Sequence, residues 1–410
     1  MTHSLPISLL VAASTVHAGW VPDSPLLQVG DNLDVYFTLK GKATYDSNIF
    51  LGSSAGLPPG GLYWSLGPGF DIDFAKESNF SASVSLRRDY VNFLDSAQRG
   101  LDDQRDNASV NFSFDTGGPL TISGSAGYVE TATNGVQEAA LTGLGAEGTL
   151  SRQATYSHSA TIGYRFTDKL NASLGATRSS NRYDPFAKPI VAPAVTPTYN
   201  TQGLTENTSW TFPLDIRFQI RERLNIGFAW EHGWTDIKAA TLSTAPLTYT
   251  GFTKDFYGVT LTGQPTPSGK INLTLKAGSL STKYDGGADQ ATNPSYSMSV
   301  SHTMTDKTSH SLTLTDDASV AASGKRSTTR STQYGLNYVY DESFRAALTT
   351  GYSDTVVEPS LTVRTATFGL NATYSPDTHW TYTVGYSLTR SLAPSVYGVN
   401  QLSVEANLRW

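Results

Sequence analysis

Apolar and polar residues alternate one by one along much of this chain, and the alternating runs come in pairs across short polar turns. In "SATIGYRFTDKLNASLGA", Ile162 and Phe166 fall on one face and Arg165 on the other, and Leu170 and Leu174 continue the pattern after the turn. Alternation with a period of two residues is typical of a β-strand that has two different faces. Two such runs joined by a tight turn predict a β-hairpin.

Runs of this kind recur from residue 33 to the end of the chain, each bounded by a turn or a loop. The final run, "QLSVEANLRW", places Leu408 and Trp410 on its apolar face. Counting the runs predicts about 18 strands, and an even number is what single-chain bacterial outer-membrane barrels have. We expect strands near residues 33–45, 62–74, 78–93, 104–115, 119–132, 156–166, 169–182, 208–219, 223–237, 253–263, 270–283, 294–304, 308–319, 330–340, 343–357, 363–375, 379–391 and 400–410.

The connections between the predicted strands alternate between short turns and longer loops. Short turns include "TDK", "RER", "DE" and "SPDT", whereas one long loop carries Pro185, Pro189, Pro193 and Pro197. In outer-membrane barrels the short turns face the periplasm and the long loops face the outside. We therefore expect an all-β, transmembrane antiparallel β-barrel with both termini in the periplasm. The proline-rich loop either folds inward as a constriction or lies on the outer rim.

The composition favours a membrane barrel over a soluble β protein. Charged residues are 16% and apolar residues 39% of the chain, both below the usual fractions of soluble domains. The polar faces of the predicted strands carry mainly Ser, Thr, Asn, Gly and Gln, which suits a hydrated lumen, whereas a soluble sandwich carries many charges outside. Cysteine is absent, which excludes disulfides, and the net charge of -6 includes no basic block, which argues against nucleic acid as a partner.

The first 18 residues resemble a secretory signal peptide. An apolar stretch runs from Leu5 to Ala13 and a small-residue cleavage site ends at Ala18, although no Lys or Arg lies before them. A buried N-terminal helix is the alternative. We expect residues 1–18 to be the signal peptide, 19–32 a short periplasmic segment and 33–410 the barrel. This organisation predicts the outer membrane of a Gram-negative bacterium as the location.

Two short motifs of enzymes occur outside their proper context. "GSSAG", from Gly52 to Gly56, has the pattern of a hydrolase serine but lies in a loop that no helix follows. "GQPTPSGK", from Gly263 to Lys270, resembles a phosphate-binding loop but has one residue too many between its glycines, and we interpret it as a hairpin turn. We predict that the protein is not an enzyme and uses no cofactor.

The sequence also indicates no metal site. No pair of histidines has metal-binding spacing in a helical context, and His302, His310 and His379 lie beside short turns, where an interfacial position explains them. Asp285 and Asp289 could bind calcium, but two carboxylates in a loop are weak evidence and are better explained by solvation.

Several charged residues fall on the inward face of the predicted strands. Such side chains can set the ion or solute preference of a pore, or they can pair across neighbouring strands and stiffen the wall. Because both signs are mixed, we predict neither anion nor cation selectivity. The pore-lining candidates are Arg165, Asp215, Arg217, Lys270, Lys276, Arg345, Glu405 and Arg409.

The first predicted strand ends in "ATYDSNIF", and the second contains "LGPGF". The first phrase, which includes Tyr45, Asp46, Asn48, Ile49 and Phe50, resembles the start of the beta-barrel porin 2 family. Members of that family are often encoded beside exopolysaccharide machinery and are thought to form the outer-membrane exit of the polymer, together with a periplasmic export protein. The resemblance implies a passive conduit for a secreted polysaccharide. A general or substrate-specific diffusion porin for small solutes is the alternative, and an outer-membrane enzyme or adhesin is a third class.

The end of the chain resembles the signal that outer-membrane barrel assembly machinery reads on the last strand. Leu408 and Trp410 are the anchors of this signal. Because a barrel leaves no open edge in lipid, we expect the last strand to pair with the first, near Leu33 to Tyr45. Membrane lipid and the assembly machinery are therefore the expected partners.

Overall fold

A computed structural model of the protein describes residues 25–30, 32–47, 60–75, 79–96, 98, 102–134, 150–184, 205–239, 250–285, 290–320, 326–357, 361–393 and 397–410. The regular structure in these ranges is almost entirely β-strand. No helix among these residues is both long and apolar enough to cross a membrane.

The described residues form one very short strand and eighteen long ones. The short strand comes first, and each long strand has 13 to 17 residues. The strands are β1 Leu27–Val29, β2 Leu33–Asp46, β3 Gly61–Phe74, β4 Phe80–Phe93, β5 Asp103–Asp115, β6 Leu120–Asn134, β7 Leu150–Arg165, β8 Leu170–Asp184, β9 Thr205–Arg221, β10 Leu224–Ala239, β11 Gly251–Gly263, β12 Ile271–Tyr284, β13 Gln290–Thr303, β14 Thr308–Val320, β15 Arg326–Val339, β16 Phe344–Val357, β17 Leu361–Tyr374, β18 Trp380–Ala393 and β19 Tyr397–Arg409.

The eighteen long strands close into an antiparallel barrel. Each pairs with its neighbours in the sequence, and β19 returns to pair with β2, from Gln401 opposite Asp46 to Arg409 opposite Thr38. The predicted strand number and the closure between the last and first strands are therefore confirmed. Closure matters physically because every interior strand then satisfies its backbone hydrogen bonds on both sides.

The short strand β1 adds to the edge at which the barrel closes. Its residues pair with the first residues of β2, with Leu27 opposite Val35 and Val29 opposite Leu33. The pairing of the last strand with β2 ends at Phe37, two residues beyond the part of β2 that pairs with β1. Thus β1 and β19 lie end to end along β2. Leu27 and Val29 belong to the segment for which the sequence predicted no strand.

Side chains that accept backbone hydrogen bonds fix the short turns. Thr305 Oγ1 accepts from the N–H of Thr308 at 3.0 Å, and Asp341 Oδ1 accepts from the N–H of Phe344 at 2.7 Å. Asp377 Oδ1 accepts from the N–H groups of His379 and Trp380, both at 2.8 Å. These bonds from Trp380 and His379 hold the pKa of the Asp377 carboxyl below its usual value. The turns lie where the sequence predicted them.

Large apolar side chains cover the outward face of the wall. Leu66, Phe70, Ile162, Leu174 and Val404 are each 41–53% exposed. Apolar area of this extent around a closed sheet is explained by contact with lipid.

Charged residues reappear on the outward face toward the long-loop ends of the strands. We call this ring the charged outer belt, and many of its members pair across neighbouring strands: Arg88 with Asp106 at 2.6 Å, Arg330 with Asp316 at 2.9 Å, His232 with Asp255 at 2.8 Å, Arg364 with Asp354 at 3.8 Å, and Arg152 with Glu130.

The distance from the short turns to the charged outer belt matches the thickness of a membrane. On β17 ten residues separate Tyr374, at the turn, from Arg364, in the belt, with Leu370 and Phe368 between them on the same face. Ten residues span ~33 Å along a strand, and a tilt of ~40° reduces this to a height of ~25 Å. A closed barrel with an apolar exterior of this height is an outer-membrane protein.

Candidate functional site: the lumen of the barrel

Small polar side chains dominate the inward face of the wall. On β13 every second residue is a serine, from Ser295 to Ser301. Hydroxyl groups on neighbouring strands bond to one another, as between Ser125 and Ser159 at 2.7 Å and between Thr329 and Thr355 at 3.0 Å. A barrel of eighteen strands is too wide for such small side chains to fill, so its wall surrounds a lumen.

A network of ion pairs crosses the closure between β19, β2 and β3 on the lumenal face. Arg409 Nη2 donates to Asp73 Oδ2 at 2.9 Å, its Nε lies 3.6 Å from Asp71 Oδ2, and its guanidinium stacks on the Tyr36 ring at 3.9 Å. Arg409 is on β19 and both aspartates are on β3, so this side chain reaches across the whole width of β2. The contact ties the last strand to the second long strand.

A second pair strengthens the same closure. Lys40 Nζ lies 2.9 Å from Glu405 Oε2, and Asn407 Nδ2 donates to the other carboxylate oxygen at 2.8 Å. Glu405 is less than one-fifth exposed. Glu405 and Arg409, both predicted to line the pore, are therefore engaged with the wall rather than directed into open solvent.

Two lysines on the opposite part of the wall make long lumenal contacts. Lys276 on β12 reaches across β11 to Glu231 on β10, with 2.9 Å between Nζ and Oε2, and its ammonium lies 4.2 Å from the centre of the Phe256 ring. Lys254 on β11 reaches Asp317 on β14 at 3.3 Å. Strands that are not neighbours can be bridged in this way because side chains converge on the concave side of a barrel.

The pair Arg87 and Asp89 depends on a glycine of the neighbouring strand. Arg87 Nε donates to Asp89 Oδ1 at 2.9 Å, and Asn107 Nδ2 donates to Asp89 Oδ2 at 2.9 Å. A Cβ atom at Gly67 would lie 2.0 Å from Asp89 Oδ1. Any larger residue at position 67 would therefore displace the carboxylate of Asp89.

Two further predicted residues pair with each other along one strand. Arg217 Nε donates to Asp215 Oδ1 at 2.8 Å, and Arg217 Nη2 donates to Asp215 Oδ2 at 3.1 Å. Arg217 also lines an open hollow of about 390 Å³ at the short-turn end of the barrel, together with Arg165 and Asn171. The two charges compensate each other at this mouth.

The remaining predicted residues are exposed at the short-turn mouth. Arg165 makes one long bond, from Nη2 to the carbonyl of Gly118 at 3.4 Å. Arg345 lines a hollow of about 670 Å³ with Lys307 and Glu342. Lys270 precedes the first residue of β12, in the turn rather than in the wall. Among the described residues, no carboxylate lies within 4 Å of these three side chains.

Aromatic rings on the lumenal face are covered. Five of the described ones are at most 7% exposed, and the sixth, Tyr63, packs on Phe93 with 5.0 Å between ring centres. On β10 to β12 the covered rings belong to apolar clusters that also contain Ala229, Leu280 and Ile237. The six aromatic residues are Tyr36, Tyr63, Phe93, Phe252, Phe256 and Tyr284.

The first phrase of the family resemblance is only partly described. Tyr45 faces outward and is 49% exposed, whereas Asp46 faces the lumen, is 6% exposed and accepts a hydrogen bond from Gln401 Nε2 at 2.8 Å. Asn48, Ile49 and Phe50 lie outside the described residues. So do the predicted signal peptide, the "GSSAG" motif, the proline-rich loop and Asp289.

The two residues predicted to anchor the assembly signal lie where the barrel closes. Leu408 is opposite Leu39 on β2 and Trp380 on β18, on the outward face. Trp410 is 58% exposed at the end of the same face. Both side chains therefore occupy the lipid side of the last strand.

Sequence reasoning missed the partners of the lumenal charges. Lys40, Asp89 and Glu231 were not among the predicted residues, although alternation along their strands places each on the inward face. Alternation along each strand shows that these side chains point inward. It does not show which other strand lies within reach of a side chain.

Comparison with known proteins finds likeness at the level of solved structures only. OccK9 (OpdG) from Pseudomonas aeruginosa is 13% identical, with 92% of this chain and 98% of that chain covered and a TM-score of 0.48. The outer membrane protein opdK from Pseudomonas aeruginosa is 12% identical, with 92% and 99% covered and a TM-score of 0.47. The FrpB iron transporter from Neisseria meningitidis is 13% identical at a TM-score of 0.42, with 87% of this chain covered, and this chain spans 62% of the FrpB length.

No protein-family model matches the chain, and no curated protein matches its sequence. The barrel assignment rests on the strand pairing itself, and the function depends on the side chains of the wall.

Proposed function

We propose that the protein is a passive, water-filled channel through which small polar solutes diffuse across the outer membrane. The observation that carries this proposal is a closed wall of eighteen long strands that is apolar outside and lined by serine, threonine and paired charges inside. Such a wall separates an aqueous path from lipid without needing a second subunit.

The pairing of the lumenal charges favours a weakly selective channel. Arg409, Glu405, Lys276 and Arg217 each contact an opposite charge within 3 Å. A paired charge contributes little net potential to the lumen, because its partner lies closer than a Debye length. These four paired charges are therefore expected to contribute little selectivity for one sign of ion.

We propose that both termini face the periplasm. The charged outer belt lies at the long-loop ends of the strands, and the short turns, including those at Asp341 and Asp377, lie at the other end beside Trp410. Long loops of outer-membrane barrels face the outside and short turns face the periplasm.

Swelling of proteoliposomes tests the channel. Vesicles that contain the folded protein are diluted into isotonic solutions of neutral sugars of increasing size, from a pentose to a pentasaccharide. We expect swelling rates that fall steadily with sugar size. Folded protein that admits no sugar would contradict the proposal, and vesicles with heat-unfolded protein provide the control.

Export of a secreted polysaccharide is the second candidate, supported by the resemblance of Tyr45 and Asp46 and their neighbours to the beta-barrel porin 2 family. It would involve a periplasmic export protein as partner. Most lumenal rings whose side chains the structure describes are covered, so those offer no open face on which a sugar ring could stack. Deleting the gene and measuring surface polysaccharide decides between the two: a lost coat favours export, and an unchanged coat favours diffusion.

A further inference from the structure

Two histidines that are eight residues apart in the sequence meet on the outer surface of the barrel. His302 on β13 is directly opposite His310 on β14. The Nδ1 atom of His302 lies 3.1 Å from the Nε2 atom of His310, and the ring centres are 5.2 Å apart at an interplanar angle of 65°. Both side chains are half-buried, next to the short turn that contains Thr305 and Lys307.

The distance between the two nitrogens suits a shared metal ion. Imidazole nitrogens bind Zn²⁺ at ~2.0–2.1 Å, so two nitrogens on one ion lie ~2.9 Å apart at right angles and ~3.3 Å apart at tetrahedral angles. The observed 3.1 Å lies between these values. Binding would move the hydrogen that now lies between the two nitrogens to the other nitrogen of its own ring, by exchange with solvent, and place the ion between two neutral imidazoles.

We propose that His302 and His310 form a two-histidine site for a divalent transition-metal ion at the short-turn rim of the barrel. Among the described residues no third histidine or carboxylate completes a cluster. Water would therefore occupy the other coordination positions, and Cu²⁺ should bind best because imidazole sites follow the Irving–Williams order.

Among the described pairings between long strands, the site lies on the shortest ladder. The register between β13 and β14 has seven residue pairs, from Ser297–Thr315 to Thr303–Ser309, whereas that between β14 and β15 has thirteen. The ladder stops near Pro294, which has no N–H group to donate. A metal ion held by one ligand from each strand would therefore cross-link the barrel at its weakest long pairing.

Copper titration of the tag-free protein, folded in detergent, tests this site. We expect the wild type to bind one Cu²⁺ at least about tenfold more tightly than His302→Ala or His310→Ala. The paramagnetic resonance spectrum of the copper should show two coupled nitrogens, and copper should raise the unfolding temperature of the wild type but of neither His302→Ala nor His310→Ala.

His379→Ala is the matched control, because His379 lies on the same rim and its Nδ1 contacts the carbonyl of Arg409 at 3.1 Å. This variant should bind copper as the wild type does. Equal copper affinity in the wild type and in both site variants would overturn the proposal.

A chemical measurement on the wild type covers the case in which a variant fails to fold. Diethyl pyrocarbonate modifies accessible imidazoles, and mass spectrometry then locates the modified residues. We expect copper to protect His302 and His310 but not His379. Equal modification of all three with and without copper would overturn the proposal.

Discussion

Trp410 and Phe37 exchange a pair of backbone hydrogen bonds where the barrel closes. The N–H of Trp410 donates to the carbonyl of Phe37 at 2.9 Å, and the N–H of Phe37 donates to the carbonyl of Trp410 at 2.6 Å. The last residue of the chain is therefore a full member of the wall, and its indole lies on the lipid side. Below this pair, β1 takes over as the partner of β2.

Deleting Trp410 should impair closure more than replacing its side chain. The deletion removes both backbone bonds to Phe37 and leaves a polar edge in lipid, whereas Trp410→Ala removes only the indole. We expect the deletion to give little folded barrel, Trp410→Ala to give an intermediate amount, and Trp410→Phe to resemble the wild type. Heat-dependent migration in gel electrophoresis measures the folded fraction. Wild-type yields from the deletion variant would refute this role of Trp410.

Replacing Arg409 by alanine should destabilise the barrel. The change leaves Asp71 and Asp73 close together without their shared guanidinium, and we expect a loss of about 1–3 kcal/mol in the free energy of unfolding. Arg345→Ala is the control, because this exposed side chain has no described carboxylate nearby and should cost less than about 0.5 kcal/mol. Denaturant unfolding in detergent measures both values, and equal losses would contradict the structural role of the Arg409 network.

Placing alanine at Gly67 should displace the carboxylate of Asp89. The new Cβ atom would lie 2.0 Å from Asp89 Oδ1, and relieving the clash should cost about 1–3 kcal/mol of stability. Gly41→Ala is the matched control, since its Cβ atom would meet nothing closer than the carbonyl of Ala406 at 4.0 Å. In an Asp89→Ala background, which lacks the carboxylate, Gly67→Ala should cost little, so the losses of the two single changes should not add. Additive losses in the double variant would exclude the clash as the cause.

The carboxylate of Asp377 should make the stability of the barrel depend on pH in acid. Its pKa in the folded protein is lowered by the N–H groups of Trp380 and His379. A lowered pKa means that this contribution is complete above the ordinary value of about 3.9 and is lost as the pH falls through the folded-state value. The stability difference between the wild type and Asp377→Asn should therefore shrink from pH 6 to pH 3. A constant difference in denaturation midpoints across this range would show that Asp377 does not titrate in the turn.

Alternation along the chain was sufficient to predict the eighteen long strands and the closure between the first and last. The reason is that lipid outside and water inside impose the same two-residue period on every strand. The strand β1 escaped prediction because Leu27–Val29 is too short to show a period. The contact between Lys276 and Glu231 escaped because it joins residues 45 positions apart across an intervening strand.

The meeting of His302 and His310 could have been predicted. The turn at Thr305 to Lys307 places these residues at equal distances on either side, and a hairpin pairs such positions. Helical spacing does not indicate this pair, because residues eight apart on a helix are not paired in this way. In a β-hairpin, the residues to consider as joint ligands are those at equal distances on either side of the turn.

Single-channel recording in a planar lipid bilayer tests the central claim most directly. Purified protein, added without any partner, should produce stepwise, long-lived conductance that is linear in voltage at low potentials. Its reversal potential in a salt gradient should be small, because most charges described on the lumenal wall are paired and the unpaired Arg165, Lys270 and Arg345 lie at the exposed mouth, where salt screens them. Folded protein that inserts but conducts no ions at any applied voltage would contradict the account of this barrel as an open, passive channel.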